Sequence, residues 1–416
     1  MCRFQRWVRG GLDVRIAMLH WGFPPIIGGV ETHLMMLGPA LVTRGCTVNL
    51  LTGSVDGRRE TLVWGGMTVA RTPLMDLNEL GSLPRIRELA GDIRDELTGF
   101  IRQNRPDLIH AHNMHYFSPV HVRVLARVCA RENIPVVLTA HNVWNDELWN
   151  EMLRLKGVWD AVIAVSHFIK KELVQNGYAE HRVEAIHHGI ELERFAPVGP
   201  AERERILARY PRLRGRRVMF HPARMSLAKG SDLVVKAFAR VHEKLPDVCL
   251  VLAGTEKTVD WGSYQDREIG LINTLIRELD IENDVFIKFF PWDEITEMYR
   301  VVDMAVYPSI FDEPFGLVML EAMASGTPIV VSRSGGMPEV IEDGFNGFVV
   351  PPRDEHALAG RCLFILQNPG ESERLIANGL RRVRERYTND IMVDKTLDLY
   401  KRTSALKENG VNMASG

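Results

Sequence analysis

Short apolar runs alternate with amphipathic helical patterns along most of this 416-residue chain. This alternation is typical of an α/β protein built on parallel sheets, because each strand needs a crossover helix before the next parallel strand. In the first half, the runs that predict strands lie at 15–20, 47–52, 67–71, 108–112, 136–141, 162–166 and 183–187. We therefore expect the first half to fold around one twisted parallel sheet.

The same alternation begins again after a turn-rich stretch at 189–200. In the second half, the predicted strands lie at 218–222, 248–254, 285–289, 304–307, 329–332 and 347–350. A chain of this length is too long for one ordinary hydrophobic core. We predict two doubly wound, Rossmann-like domains joined by a linker. The carboxyl ends of their strands, where open α/β sheets bind ligands, would border a cleft between the domains.

The composition excludes several classes of protein. Hydrophobic residues make up 46% and charged residues 25% of the chain, as in ordinary globular proteins. The net charge of −2 gives no general attraction for nucleic acid. Five scattered cysteines are interpreted as core thiols in a reducing compartment.

Membrane and export signals are weak. No apolar run reaches the ~18 residues that a membrane-spanning helix needs. Residues 1–13 contain three arginines but lack the apolar core of a secretory signal. We therefore expect a cytoplasmic protein with a flexible basic tail at 1–13 and at most peripheral contact with a membrane.

The stretch at 307–332, YPSIFDEPFGLVMLEAMASGTPIVVS, carries two glutamates around a strand–turn–helix junction. Gly316 opens the predicted helix, whose free backbone N–H groups and positive dipole end favour a phosphate. Glu313 comes just before this point, and Glu321 lies eight residues later. At ~1.5 Å of rise per helical residue, the two carboxylates would be separated by roughly the length of a nucleotide sugar. One could hold ribose hydroxyls while the other faces the sugar.

This Glu-x7-Glu stretch resembles the motif of the GT-B glycosyltransferases of the family 4 type, also called glycosyl transferases group 1, which retain anomeric configuration. The resemblance implies a GT-B fold in which Glu321 holds the ribose and Glu313 orients the sugar. The donor-binding residues that it implies within this stretch are Glu313, Phe315, Gly316, Leu317 and Glu321.

The resemblance also implies a division of labour between the predicted domains. Residues 14–195 would form the acceptor side, and residues 196–388 would form the donor side. The amphipathic segment at 389–416 would return to the N-terminal domain and complete it.

Two loops that follow predicted strands carry further donor-site candidates. Gly28 and Gly29 precede a helix, so bare backbone can approach an anion there. Arg224 and Lys229 also precede a helix and match the R-x4-K-G arrangement of the family, which implies a diphosphate clamp. Without the resemblance, an ordinary turn and two solvated cations would be the simpler interpretations.

Histidines at strand ends form a third group of candidates. His141 closes a predicted strand, and its family counterpart sits against the transferred sugar. On spacing alone, a purely structural histidine is an equal alternative. His110 and His112 share one face of a strand, but no third metal ligand is evident, so we interpret them as lining the cleft. The residue before Gly189 is His188, where the family usually has Asn, which leaves that contact open.

No Asp-x-Asp motif occurs in the chain, and such a pair often holds a divalent ion against a diphosphate. Because Arg224 and Lys229 would supply the positive charge, we predict no required metal and no cofactor besides the nucleotide-sugar substrate.

The sequence gives less information about the acceptor than about the donor. Aromatic residues that could form a platform for a sugar or polyol, or could equally pack in the core, are Tyr116, Phe117, Trp144 and Trp149.

The sequence therefore predicts a hexosyltransferase that uses a UDP- or GDP-sugar and a hydroxyl acceptor, which is a small molecule, a glycan or a lipid-linked molecule. Two other functions stay open: a nucleotide-sugar epimerase or hydrolase, and a non-catalytic nucleotide-sugar-binding protein. The short-chain epimerase version lacks both GxGxxG and Tyr-x3-Lys. The binding-only version is disfavoured because every donor-site residue type is present. The oligomeric state is not predicted.

Overall fold

The computed structural model describes residues 14–254, 262–291, 294–408 and 410. The chain divides into two compact units: Met1–His188 together with Asn389–Gly416, and Gly189–Thr388. The basic tail predicted at 1–13 lies outside the described residues. Because the first unit contains both an early and a late part of the chain, the chain leaves it once and later returns to it.

The first unit is built on a single sheet. Its strands within the described residues are β1 (Arg15–Leu19), β2 (Thr47–Gly53), β3 (Glu60–Trp64), β4 (Met67–Thr72), β5 (Leu108–His112), β6 (Val136–Ala140), β7 (Ala161–Ala164) and β8 (Val183–Ala185). They lie in the order β3-β4-β2-β1-β5-β6-β7-β8. The order of strands reverses between β1 and β5, so the loops after these two strands meet at one edge of the sheet.

The edge strand β3 was not predicted. It is antiparallel to β4, to which Gly65 and Gly66 connect it through a tight turn with φ of 54° and 84°. Glycine adopts such angles without steric strain, and the pair suits a two-residue hairpin. Its side chains are exposed or half-buried, with Val63 73% exposed, so no apolar run marks the strand in the sequence.

Helices cover both faces of this sheet. They are α1 (Gly29–Thr43), α2 (Leu77–Leu80), α3 (Leu83–Glu88), α4 (Ala90–Asn104), α5 (Pro119–Glu132), α6 (Glu147–Leu153) and α7 (His167–Gln175). A later helix, α17 (Asn389–Glu408), packs against α1, and Arg44 at the end of α1 forms ion pairs with Asp390 at 2.7 Å and Asp394 at 3.1 Å. Buried Met392, Val393 and Tyr400 give this helix an apolar face.

The second unit contains a six-stranded sheet within the described residues. Its strands are β9 (Arg217–His221), β10 (Val248–Gly254), β11 (Val285–Phe289), β12 (Met304–Tyr307), β13 (Ile329–Ser332) and β14 (Phe348–Val350). They are all parallel and lie in the order β11-β10-β9-β12-β13-β14, the arrangement of a Rossmann sheet. The strand order reverses between β9 and β12, where such sheets bind their ligands.

The helices of the second unit are α8 (Leu192–Phe195), α9 (Pro200–Ala208), α10 (Ser231–Lys244), α11 (Gly262–Glu278), α12 (Ile295–Val301), α13 (Leu317–Ala324), α14 (Met337–Val340), α15 (Glu355–Gln367) and α16 (Pro369–Arg386). A buried core that includes Val234, Phe238 and Leu250 joins helix α10 to the sheet. The helix α8 lies inside the stretch that we predicted to be a linker.

No helix within the described residues combines the length and the hydrophobicity that crossing a bilayer requires. The cysteines at 46, 129, 249 and 362 are buried, in agreement with the prediction of core thiols.

Candidate active site

The loop after β9 and the loop after β12 pack against each other at the point where the strand order of the second unit reverses. The carbonyl of Ala228 accepts hydrogen bonds from the Ile310 N–H at 3.0 Å and the Ser309 hydroxyl at 3.2 Å. Gly230, which precedes α10, has a φ of 75°, and a Cβ at this position would collide with the carbonyl of Pro308. Glycine is therefore required both for the backbone angle and for the close approach of the two loops.

This packing brings Lys229 to Glu313. The Lys229 Nζ lies 2.6 Å from Glu313 Oε2, and the Tyr307 hydroxyl donates to the same oxygen at 2.7 Å. The side chains of Lys229 and Glu313 are 20% and 12% exposed, so the ion pair is shielded but still accessible. Burial and the neighbouring carboxylate of Glu313 raise the pKa of Tyr307, which therefore keeps its proton for this hydrogen bond.

Arg224 lies in the same loop as Lys229. Its guanidinium is half-buried and interacts electrostatically with Tyr307, Glu268 and Glu313. Burial lowers the pKa of Arg224, but arginine stays charged because its ordinary pKa is far above neutral. The two predicted cations therefore stand beside one predicted catalytic carboxylate, at the start of helix α10.

The backbone of Glu313 is held from the other side by the loop after β13. The Gly336 N–H donates to the Glu313 carbonyl at 2.8 Å. Gly335 has a φ of 51°, and a Cβ there would lie 2.7 Å from the Glu313 nitrogen and collide with its carbonyl oxygen.

Gly335→Ala should therefore destabilise the second unit by at least about 1–2 kcal/mol, the usual cost of a left-handed backbone for a residue with a Cβ. Urea unfolding of the purified protein measures this change. The control is Gly360→Ala in α15, where an added Cβ meets nothing within 4 Å. That variant should gain about 0.5–1 kcal/mol, since alanine is the better helix former. Equal stability of the Gly335→Ala variant and the wild type would contradict the close approach described above.

Glu321 occupies the second turn of the motif helix α13. This helix begins after Gly316, whose φ is 86°, as the sequence predicts. The Tyr299 hydroxyl donates to Glu321 Oε2 at 2.8 Å. Burial raises the pKa of Glu321, and Tyr299 and Arg194 partly oppose that shift. Each glutamate of the Glu-x7-Glu pair thus receives a tyrosine hydroxyl, and the sequence analysis identified neither tyrosine.

Phe315 and Leu317, two further predicted donor-binding residues of the motif, differ in how deeply their side chains are buried. Phe315 is buried, and its ring packs 6.1 Å from that of Tyr387, so the side chain itself belongs to the core. Leu317 is half-buried at the start of α13. Any contact of Phe315 with a donor would therefore have to be made by its backbone.

In the first unit, Gly28 precedes helix α1 and Gly29 is its first residue. The carboxylate of Glu31 fills the space beneath this loop: a Cβ at Gly22 or Gly28 would lie 2.5 or 2.7 Å from its oxygens. Glu31 is 5% exposed and pairs with His20 at 3.0 Å. Because Gly22 and Gly28 have no side chains, they leave room for the buried carboxylate of Glu31. The sequence analysis missed this structural role. The only signal in the sequence was a glutamate in the first helical turn, two residues after Gly-Gly.

His141 follows β6 in a cluster of buried histidines. Its Nε2 lies 3.2 Å from His112 Nδ1, and His33 on α1 stacks edge-on against it at 5.1 Å between ring centres. The Nδ1 atoms of His33 and His188 lie 3.0 Å apart. His33, His112 and His141 each place one ring nitrogen within 4.8 Å of the others, a grouping that the sequence analysis did not identify.

His110 has a different role from His112. Its Nε2 lies 2.6 Å from the Thr139 hydroxyl, and its Nδ1 lies 2.5 Å from the hydroxyl of Tyr400 on α17. Both ring nitrogens are used, so His110 is a structural histidine that ties α17 to the sheet.

The predicted aromatic platform separates into two pairs. Phe117 and Trp149 are 3% and 2% exposed, which places them in the core. Tyr116 and Trp144 stack at 4.5 Å between ring centres with planes 16° apart, and Tyr116 donates a hydrogen bond to Asp146. Trp144 is 38% exposed, so this second pair reaches the protein surface.

Two family models match successive parts of the chain. Residues 27–194 match the model described as Glycosyltransferase Family 4, and residues 202–382 match the model described as Glycosyl transferases group 1. Together they account for well over half of the chain. The chain belongs to the family 4, or group 1, glycosyltransferases.

Curated relatives of this glycosyltransferase carry related names. An uncharacterized glycosyltransferase of Methanocaldococcus jannaschii is 26% identical over 93% of this chain and 98% of its own length. A glycogen synthase of Mycobacterium tuberculosis is 26% identical over 91% of each chain. A D-inositol 3-phosphate glycosyltransferase of Salinispora tropica is 28% identical over 94% of this chain and 84% of its own length.

Solved structures show that this glycosyltransferase has the GT-B fold that the sequence predicts. A sucrose-phosphate synthase from Thermosynechococcus elongatus has a TM-score of 0.76 at 22% identity, covering 94% of this chain and 99% of its own. HepE from Anabaena, crystallised with UDP-glucose, has a TM-score of 0.74 at 20% identity and covers 94% of this chain and all of its own. At these identities the likeness concerns the fold.

Proposed function

We propose that this glycosyltransferase moves a hexose-type sugar from a nucleoside diphosphate donor to an acceptor hydroxyl and retains the anomeric configuration. The observation that carries this proposal is the contact of Lys229 and Tyr307 with Glu313, beside Arg224, where the second sheet reverses its strand order. Rossmann sheets bind nucleotides at this point. The crystal complexes of HepE with UDP-glucose favour a UDP-sugar over a GDP-sugar as the donor.

In the proposed mechanism, the Arg224 guanidinium and the Lys229 ammonium bind the diphosphate, and Glu321 accepts hydrogen bonds from the ribose hydroxyls. Glu313 orients the sugar, and the hydroxyl of Tyr307 and the ammonium of Lys229 fix its carboxylate. Arg224 is suited to two phosphate oxygens because its donors form a planar fork. The roles predicted for Gly28, Gly29 and His141 stay predictions.

The reaction breaks the bond between the anomeric carbon and the diphosphate oxygen, whose electron pair stays with the departing diphosphate. The acceptor oxygen forms the new bond on the same face of the sugar, and its proton passes to a diphosphate oxygen. Negative charge on the leaving group grows during this step, so Lys229 and Arg224 interact more strongly with the transition state than with the bound donor.

A panel of nucleotide sugars with candidate hydroxyl acceptors tests the proposal, with release of the free nucleoside diphosphate as the readout and proton NMR of the product for its anomeric form. We expect acceptor-dependent release and a product with the anomeric configuration of the donor. Release without an acceptor would instead identify a hydrolase. Tight donor binding with no turnover would identify a binding protein, and an inverted product would refute retention.

We also propose that transfer needs no metal ion, because two protein cations can compensate the charge of the diphosphate. Activity should therefore be unchanged after treatment with EDTA and removal of the chelator. The measurement is the rate of nucleoside diphosphate release before and after treatment, with added magnesium or manganese as the control. Loss of activity that either ion restores would contradict this proposal.

A further inference from the structure

We propose that His33, His112 and His141 bind a transition-metal ion of the zinc type in the first unit. The proposed contacts with the diphosphate and the ribose come from residues of the second unit. This site lies in the first unit and includes His141, for which the sequence analysis predicts a contact with the transferred sugar. Its ligands come from helix α1 and from the ends of β5 and β6, so the fold brings them together over a long distance in the sequence.

The spacing of the nitrogens suits one ion. His112 Nδ1 and His141 Nε2 lie 3.2 Å apart. Two nitrogens bound to a tetrahedral zinc at about 2.0–2.1 Å lie about 3.3 Å from each other. A ring nitrogen of His33 lies within 4.8 Å of the other two ligand atoms, so a small rotation of this ring would complete the set.

The hydrogen bonding of the cluster is incomplete in a way that an ion would correct. His33 Nε2 is buried and has no hydrogen-bond partner. A buried nitrogen without a partner is unfavourable, and such atoms often mark the place of a water or an ion. His33 Nδ1 lies 3.0 Å from His188 Nδ1, so His188 would orient the His33 ring while its Nε2 binds the ion.

The chemistry of the cluster selects the kind of ion. Neutral imidazoles suit zinc, copper and nickel, whereas magnesium and calcium prefer oxygen ligands. The neutral form of an imidazole ring is the form that binds a metal. Three histidines would leave a fourth position for water or another ligand.

Metal-free full-length protein titrated with zinc chloride tests the site by calorimetry, by metal analysis after dialysis and by thermal unfolding. We expect one zinc per chain and a raised Tm. His33→Gln should weaken zinc binding by at least about 10–100-fold, the usual loss when even an outer partner of a ligand is removed. His188→Ala should weaken zinc binding by a similar factor, because His188 would no longer orient the ring of His33. The matched control is His181→Gln, an exposed histidine of the same unit, which should bind zinc like the wild type.

Cobalt provides a second readout, since visible absorption of the bound ion differs between a nitrogen-ligated site of low coordination and the hexa-aqua ion. We expect the former spectrum with the wild type and its loss in His33→Gln. If circular dichroism shows that His33→Gln does not fold, His141→Asn replaces it. The proposal is overturned if the wild type takes up no stoichiometric zinc, or if the folded ligand variant binds zinc as tightly as the wild type.

Discussion

Lys229→Ala should lower kcat by about 10²–10³-fold, the usual loss when one preorganised donor to a developing anion is removed. Donor affinity should fall less, because charge on the diphosphate grows only as the glycosidic bond breaks. The structure adds a second reason: Lys229 lies 2.6 Å from Glu313 Oε2, so its removal takes away the ion pair and leaves the Tyr307 hydroxyl to hold that oxygen. Steady-state kinetics with the best donor of the panel measure both quantities.

A lysine on α10, the helix that follows the loop of Lys229, provides the control. Lys236 pairs with Asp232 at 3.2 Å, and its side chain is 41% exposed, so Lys236→Ala should turn over almost normally. If Lys229 only anchors the donor, KM rises while kcat is unchanged. Normal kinetics of Lys229→Ala would show that it is an ordinary loop cation and would remove the main support for the proposed charge compensation.

Glu321→Ala should weaken donor binding by about 1.5–3 kcal/mol, the range for hydrogen bonds to a charged group. Tyr299→Phe is its matched partner, because it removes one hydrogen bond to Glu321 Oε2 and keeps the carboxylate. The Tyr299→Phe variant should lose only about 0.5–1.5 kcal/mol of donor-binding free energy. Calorimetry with the donor, or with the nucleoside diphosphate alone, distinguishes the two. An unchanged affinity of Glu321→Ala would refute the ribose contact.

The same carboxylate should make donor binding depend on pH. Because burial raises the pKa of Glu321, it takes up a proton at a higher pH than the ordinary value of 4.5. A protonated carboxyl accepts hydrogen bonds less well, so donor affinity should weaken as the pH falls toward that raised pKa and recover above it. Glu321→Gln should abolish this part of the pH dependence while retaining an oxygen acceptor. A pH profile identical to that of the wild type would assign the titration to another group.

The stretch at 307–332 shows which parts of the structure the local sequence can predict. The strands Met304–Tyr307 and Ile329–Ser332 and the helix Leu317–Ala324 lie where the sequence predicts them, because Pro308, Gly316 and Gly326 mark their limits. The local sequence determines where an element begins and ends when glycine or proline lies at both ends of that element. The edge strand Glu60–Trp64 was missed because an exposed strand has no apolar run.

What the sequence did not predict depends on long-range contacts. Tyr299 and Tyr307 reach the two motif glutamates from a different helix and from the end of a strand. His33 joins His112 and His141 only because α1 packs over the ends of β5 and β6, and no spacing along the chain indicates this. Local patterns thus predicted the elements and the charged donor-site residues, whereas the groups that hold those residues in place required the three-dimensional structure.

The return of the chain to its first unit has a consequence for biosynthesis. Gly189–Thr388 is continuous in sequence, so a ribosome delivers all of that unit before helix Asn389–Glu408 appears. Until then, the N-terminal unit lacks the helix that packs on Gly29–Thr43, and His110 lacks the hydroxyl of Tyr400. Although domains generally fold in the order of their synthesis, here the unit that is begun first is the one that is finished last. A nascent chain interrupted before residue 389 would therefore expose an incomplete apolar surface to chaperones and proteases.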